Sequence, residues 1–179
     1  IKDYEIPETG KQARGKLINN LIKLSEDEKV STIIKVRAHD EDNRELFFIT
    51  KKGIVKKTEA RLFFHINKNG IRALTLKAED ELTYVGLTSG TKKNEVFIAT
   101  RAGFAIRFSE EDVRSMGRTA AGVKGINLRK DDFVVSAAIV NPETDLDKLS
   151  VLTITDEGYG KRTSLKEYKV QTRGGKGII

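Results

Sequence analysis

The chain of 179 residues has no cysteine and no tryptophan, and only two histidines. Without cysteine there is no disulfide framework, no thiolate zinc site and no thiol nucleophile, a composition that agrees with a reducing compartment. No apolar run approaches the ~18 residues that a membrane span needs, so no membrane partner is expected. The opening Ile1-Lys2-Asp3-Tyr4-Glu5-Ile6 is no signal peptide. It also lacks a starting Met, which reads as a piece of a longer protein. His39 and His65 have no counterparts at regular spacing, and His65, within Phe63-Phe64-His65-Ile66, reads as a packed residue. There is no Walker-type phosphate loop, no G-x-S-x-G and no histidine cluster at metal spacing. The expectation is therefore no catalytic residue, no metal and no cofactor in this chain.

What the chain has in excess is positive charge, +7 formally, with an isoelectric point near 9.5. That bias favours a polyanionic partner. The charge is also ordered. Basic residues recur in short loops at Arg14, Arg72, Lys124 and Lys176, with steps of 58, 52 and 52 residues. A period near 50 residues marks a modular array. One cation at a fixed phase of each module predicts a line of cations in space.

Other features keep the period. A strand, a three-residue loop ending in Gly, and a second strand are predicted three times: Leu46 to Lys57 around Gly53, Val96 to Phe108 around Gly103, and Val151 to Thr163 around Gly158. Glycine supplies the positive φ such a loop needs. Acidic turns at Asp27-Glu28, Asp80-Glu81 and Asp131-Asp132 each open a β-branched run, at Val30, Leu82 and Val134. The connectors Ser109 to Met116 and Ser164 to Tyr168 have room for one helical turn. The opening six residues resemble Leu165 to Val170, so the chain is expected to hold three periods and the start of a fourth. The predicted architecture is all-β and propeller-like, with four-stranded blades of about 50 residues that must stack to bury their faces. The approximate repeats are 1–57, 58–108, 109–163 and an incomplete 164–179, all within one domain over 1–179.

Charge is sorted within each repeat. Residues 117–130 contain Arg118, Lys124, Arg129 and Lys130 and no acid, until the pair at Asp131. A strand of five to seven residues spans roughly 17 to 24 Å, so each blade is expected to have a basic end and an acidic end. Gly122, Gly125, Gly174, Gly175 and Gly177 would let backbone amides approach phosphate. The candidate DNA contacts are Lys11, Arg14, Lys16, Lys68, Arg72, Arg118, Lys124, Lys161, Arg162, Arg173 and Lys176. The aromatics fall mainly inside hairpin strands, and none is interleaved with the basic loops. Base stacking on a single strand is thus disfavoured, and duplex binding through the phosphate backbone remains.

Gln171-Thr172-Arg173-Gly174-Gly175-Lys176-Gly177 resembles the box Q-R-R-G-G-K-G of the gyrase A C-terminal domain family. Val113-Arg114-Ser115-Met116-Gly117 with Gly122-Val123-Lys124-Gly125-Ile126 resembles the blade loop of that family, and Gly158 to Thr163 resembles a family hairpin. Thr172 stands where the box usually has Arg, which removes one phosphate contact. The segment also falls late in the chain rather than in a first blade.

The resemblance implies a β-pinwheel whose blades exchange a strand. It implies binding and wrapping of duplex DNA around a basic rim, as a non-catalytic part of an ATP-dependent type II topoisomerase. The implied partners are double-stranded DNA, the rest of the gyrase A polypeptide and its gyrase B partner, in a heterotetramer. The implied location is the bacterial cytoplasm, with the nucleoid. Two other readings stand beside it: a propeller docking an acidic protein, and a substrate-selecting module of the topoisomerase IV type. A third, an enzyme using the carboxylate pairs, would require Asp80 or Asp132 to line a cleft.

Overall fold

The computed structural model describes residues 5–26, 28–36, 44–65, 69–89, 93–141 and 143–179. All regular structure among them is β-strand or short 3-10 turns. The three predicted hairpins form, within a residue or two of their expected limits. They are β1 (Glu45–Thr50) with β2 (Ile54–Glu59), β4 (Glu95–Thr100) with β5 (Ala105–Ser109), and β8 (Ser150–Ile154) with β9 (Gly160–Ser164). Their loops turn on Gly53, Gly103 and Gly158 at φ of 75°, 84° and 86°. The connectors hold 3-10 turns at Glu110–Asp112 and Leu165–Glu167. Ser109 and Ser164 cap them, their hydroxyls accepting from Glu111 N and Lys166 N.

The other strands build outward from the hairpins. β3 (Leu82–Leu87) pairs antiparallel with β1, and β7 (Val134–Val140) with β4. Both leave acidic turns as expected. The matching run from Val30 forms no strand over its described residues, which are largely exposed. β3 and β7 form only by adding to a hairpin earlier in the chain. No such hairpin precedes Val30 among the described residues.

Neighbouring modules share strands. β6 (Val123–Lys124), which follows the second hairpin, pairs with β2 of the first. Ser115 bridges Lys57 in parallel beside it. Fifty-odd residues on, Val170 and Ile178 bridge Arg107 and Ala105 of β5 in the same way. The sheet orders are β3-β1-β2-β6 and β5-β4-β7, with β8-β9 as a pair.

One core lies between the first two sheets: Phe47, Ile49, Val55, Val96, Ile98, Ile106, Phe108, Val113, Ile126 and Val134. A smaller one, Phe97, Ala105, Val140 and Leu165, joins the second sheet to the third hairpin. β3 packs on β7, where Ile139 N donates to the Tyr84 hydroxyl at 3.3 Å. Burial pushes the Tyr84 pKa up, and the Ile139 bond opposes part of that shift.

Candidate nucleic-acid interface

The donated segments exist because the backbone can lie flat against the hairpin it joins. A Cβ at Gly122 would sit 2.6 Å from the Val55 carbonyl oxygen, and one at Gly177 would sit 2.7 Å from that of Ala105. Several loop amides are engaged inside the fold as well. Gly125 N donates to Gly53 O at 2.8 Å, and Gly174 N to Gly125 O at 2.7 Å. The expectation that these glycines free their amides for phosphate therefore fails at Gly125 and Gly174. Their amides serve the junction between modules.

The acids have an equally local task. Asp80 accepts from Lys52 N and Glu81 N, both at 2.9 Å, and Asp132 from Ala102 N and Phe133 N, also at 2.9 Å. Each carboxylate clamps the tip of a hairpin to the turn behind it. That turn places Glu79 and Asp131 at positive φ, 57° and 59°. Neither Asp80 nor Asp132 lines the pocket bounded by Arg44, Tyr84 and Asn141 or the one bounded by Asp147, Leu149 and Ser164.

Opposite charges are separated, but not along the strands as expected. Leu82 pairs with Thr50 and Lys124 with Ile54, so acid turn and basic loop both lie at the hairpin tip. They stand at opposite edges of the sheet, β3 on one side and β6 on the other. Three strand spacings put them about 14 Å apart. Because β3 and β7 pack together, the cationic segments take the edges away from that contact. Strand donation across modules, which carries no local sequence signal, causes the difference.

Successive basic loops abut. Thr75 Oγ1 donates to Thr119 O at 2.6 Å and Thr75 N to Ala120 O at 3.5 Å, which joins the Arg72 loop to the Arg118 loop. Arg173 joins the next pair. Its Nε donates to Asp112 O at 3.0 Å, one terminal nitrogen to Lys124 O at 2.7 Å, and its backbone N to Asp112 Oδ2 at 3.2 Å. Asn127 N donates to Gly175 O at 2.8 Å. Arg72, Arg118, Lys124, Arg173 and Lys176 therefore belong to one contiguous series of loops.

The remaining candidates stand apart. Lys11, Arg14 and Lys16 are exposed near a turn at Gly10 to Ala13, and no hydrogen bond among the described residues ties that turn to the series. Lys161 and Arg162 are exposed on β9. Lys68 lies outside the described residues. Gln171, Thr172, Gly174, Gly175 and Gly177 form the segment donated to β5, with Thr172 exposed.

The cations fall into two populations. None of Lys11, Arg14, Lys16, Arg72, Arg118, Lys124, Lys161, Arg162, Arg173 and Lys176 makes an ion pair among the described residues. Lys51, Lys52, Lys57 and Arg107 of the first two hairpins are paired instead. Lys51 meets Glu81 at 3.2 Å and Lys52 meets Glu79 at 3.9 Å. Lys57 pairs with Glu45 at 3.1 Å with both partners buried, and buried Arg107 pairs with half-buried Glu95 at 2.5 Å. These two also latch the next module, Lys57 Nζ to Glu110 O at 3.2 Å and Arg107 to Leu165 O and Tyr168 O at 3.2 and 3.1 Å. Sequence reading missed the latches, although Glu45 with Lys57 and Glu95 with Arg107 repeat at a step of 50. It also missed two positioning cations. Arg129 lies over the Phe104 ring, 3.2 Å from its centroid, and donates to Lys176 O at 3.4 Å. Lys56 is the other. Burial, and then the nearby Arg118 charge, lower its pKa from 10.5 to about 8.

A family model described as the DNA gyrase C-terminal domain, beta-propeller, matches residues 4–37, 44–89, 94–141 and 149–179. The gyrase A protein of Staphylococcus epidermidis is 46% identical over 178 residues, covering 99% of this chain and 19% of that protein. The chain thus spans about a fifth of the length of such curated relatives. Among solved structures, the C-terminal domain of DNA topoisomerase IV matches with a TM-score of 0.83 at 33% identity, covering 92% of this chain and 49% of that one. The DNA gyrase A C-terminal domain matches with a TM-score of 0.77 at 26% identity, covering 99% and 54%.

Proposed function

The chain belongs to the DNA gyrase C-terminal domain family, and from that premise we propose that it binds duplex DNA along the edges carrying its donated segments and bends it around them. The observation that carries this reading is the contiguous series Arg72, Arg118, Lys124, Arg173 and Lys176. It holds five cations, none in an ion pair among the described residues. Phosphates would meet them by charge, releasing counterions, with no base readout. Arg173 has already given three donors to Asp112 and Lys124, so its role is chiefly to hold the Lys124 and Lys176 loops together.

In the whole protein this surface would present DNA to the cleavage core of a type II topoisomerase for ATP-dependent supercoiling. It would act with the rest of the gyrase A polypeptide and with gyrase B, at the nucleoid in the bacterial cytoplasm. The 46% identity to a gyrase A protein favours gyrase over topoisomerase IV.

Bending 20 to 30 base pairs costs about 1 to 6 kcal/mol, so several loops must act together. Affinity should therefore rise with duplex length beyond the footprint of one module. Its log–log salt slope should change by about 0.9 for each phosphate engaged. Affinity independent of length would overturn the bending. A second reading has one observation in its favour: Leu152, Ile154 and Tyr159 are 65%, 65% and 74% exposed on the third hairpin, where a protein could dock. A mobility shift with plasmid DNA in rising salt separates the two, since only the first predicts a complex that salt dissolves.

A further inference from the structure

We infer that Lys56 is a positioning residue: its buried ammonium ties the Arg72 loop to the Arg118 loop, so that cations of two modules present as one site. The inference rests on the proposal that these loops meet DNA. Two junctions between modules stand in equivalent phase. The carbonyl of Gly125 accepts from the backbone amide of Gly174, at 2.7 Å. Fifty-two residues earlier, the carbonyl of Ala73 accepts from Lys56 Nζ at 2.6 Å. A side chain thus stands where the later junction has a backbone donor.

Lys56 is fully buried and makes no ion pair among the described residues. Its ammonium also donates to Arg118 O and lies 5.6 Å from the Phe48 ring centroid. A buried ammonium is costly unless its protons are satisfied, and both of these carbonyl acceptors belong to basic loops. The same phase in the next module is Ile106, also buried. There the junction is held by Gly174 and by Arg173 from the donated segment. So a lysine is not demanded by the hairpin core. It is required where the backbone bond is missing.

Ala73 and Arg118 are each within one residue of the proposed contacts, Arg72 and Arg118 itself. Releasing their carbonyls would free the loops from each other while leaving the charges in place. The Thr75 bonds to Thr119 and Ala120 would then be the other hydrogen bonds across this junction among the described residues.

The test uses the 179-residue chain with Lys56→Met, which keeps the apolar stem and removes the donors. Amide exchange at Thr75 and Ala120 should accelerate about tenfold or more, the factor expected for losing a hydrogen bond to a charged donor. Exchange at Gly174 and Gly125 should stay within about twofold, since backbone bonds hold that junction. Duplex binding should lose up to about 1.8 of its salt slope, two phosphates' worth. Arg72→Ala and Arg118→Ala should then cost less affinity in the Lys56→Met background than in the parent. Fully additive losses would overturn the inference. So would unchanged exchange at Thr75 and Ala120.

Lys56→Ile, which installs the residue found at position 106, guards against a folding failure. Loss of Gly174 protection in both variants would make Lys56 a general core residue and overturn the inference as well. A parent chain that binds no duplex, while its exchange pattern responds as expected, would instead defeat the DNA-binding proposal and leave the clamp standing.

Discussion

The first and third hairpins share loop length, loop glycine and phase, yet their surroundings differ completely. Phe47 and Ile49 are fully buried, while Leu152 and Ile154, in the same phase, are each 65% exposed. Lys57 pairs with Glu45 and latches the following 3-10 turn. Arg162 occupies the Lys57 position, opposite Leu152 as Lys57 is opposite Phe47, but Ser150 replaces the glutamate. Local chemistry is thus enough to form the hairpin. Burial is conferred by neighbours, a donated strand on the edge and a second sheet on the face. A two-stranded hairpin alone is only marginally stable in water, so this contrast is energetic as well as geometric.

The contrast can be tested residue by residue, and the core gives its largest effect. Phe47→Ala should cost about 3 to 5 kcal/mol, as expected for a filled core site. Leu152→Ala should stay within about 0.5 kcal/mol. Denaturant midpoints of the two variants would show this, and equal losses would mean that the third hairpin is covered in solution. The cation position comes next. Lys57→Met strands Glu45 in the interior and should cost about 3 kcal/mol or more. Arg162→Met leaves no buried acid behind and should change stability by no more than about 0.5 kcal/mol. The double variant Glu45→Leu with Lys57→Met should recover much of the loss, because the stranded charge is gone.

A smaller effect is set by pH. The fold disfavours charged Lys56, so the folded chain releases that proton near pH 8, whereas the unfolded chain holds it to about 10.5. Between those values the unfolded state binds more protons, and this group adds stability as pH rises. Melting temperatures of the parent and Lys56→Met, compared at pH 7.5 and 9.5, should move apart in favour of the parent. Movement the other way would mean that the ammonium is stabilised where it lies. The smallest effect should not distinguish the copies at all. Ser109→Ala and Ser164→Ala each remove a cap made within its own connector. Each should cost about 1 kcal/mol. Unequal losses would show that the connectors are not independent of their sheets.

The hairpins were legible because everything that defines them is local: alternation, a three-residue loop and a glycine at its end. The 3-10 turns at Glu110–Asp112 and Leu165–Glu167 were legible for the same reason, in the connectors that open on Ser109 and Ser164. The β-branched run from Val30 misled, because β propensity without a partner strand is not a strand. The cationic phase was readable at Arg72, Lys124 and Lys176. Its placement at the sheet edge was not, since Ile54 meets Lys124 from 70 residues away. Nothing local in the sequence marks the pair Lys56-Lys57 as buried. One of its members proves to be a buried latch and the other a buried clamp, and only the neighbouring module explains either.

The crossing of residues 113–126 onto the preceding sheet makes the modules resemble links rather than beads. A protease cut within 127–133 would divide the polypeptide but would not free its parts. The amino-terminal fragment would leave with one strand already woven beside β2 and with β5 still in the next sheet. Pulling the fragments apart would require dismantling the β5-β4-β7 sheet, since β7 and the segment bridged to β5 lie beyond the cut and β4 and β5 before it, so a nicked chain should migrate as one particle until it is denatured.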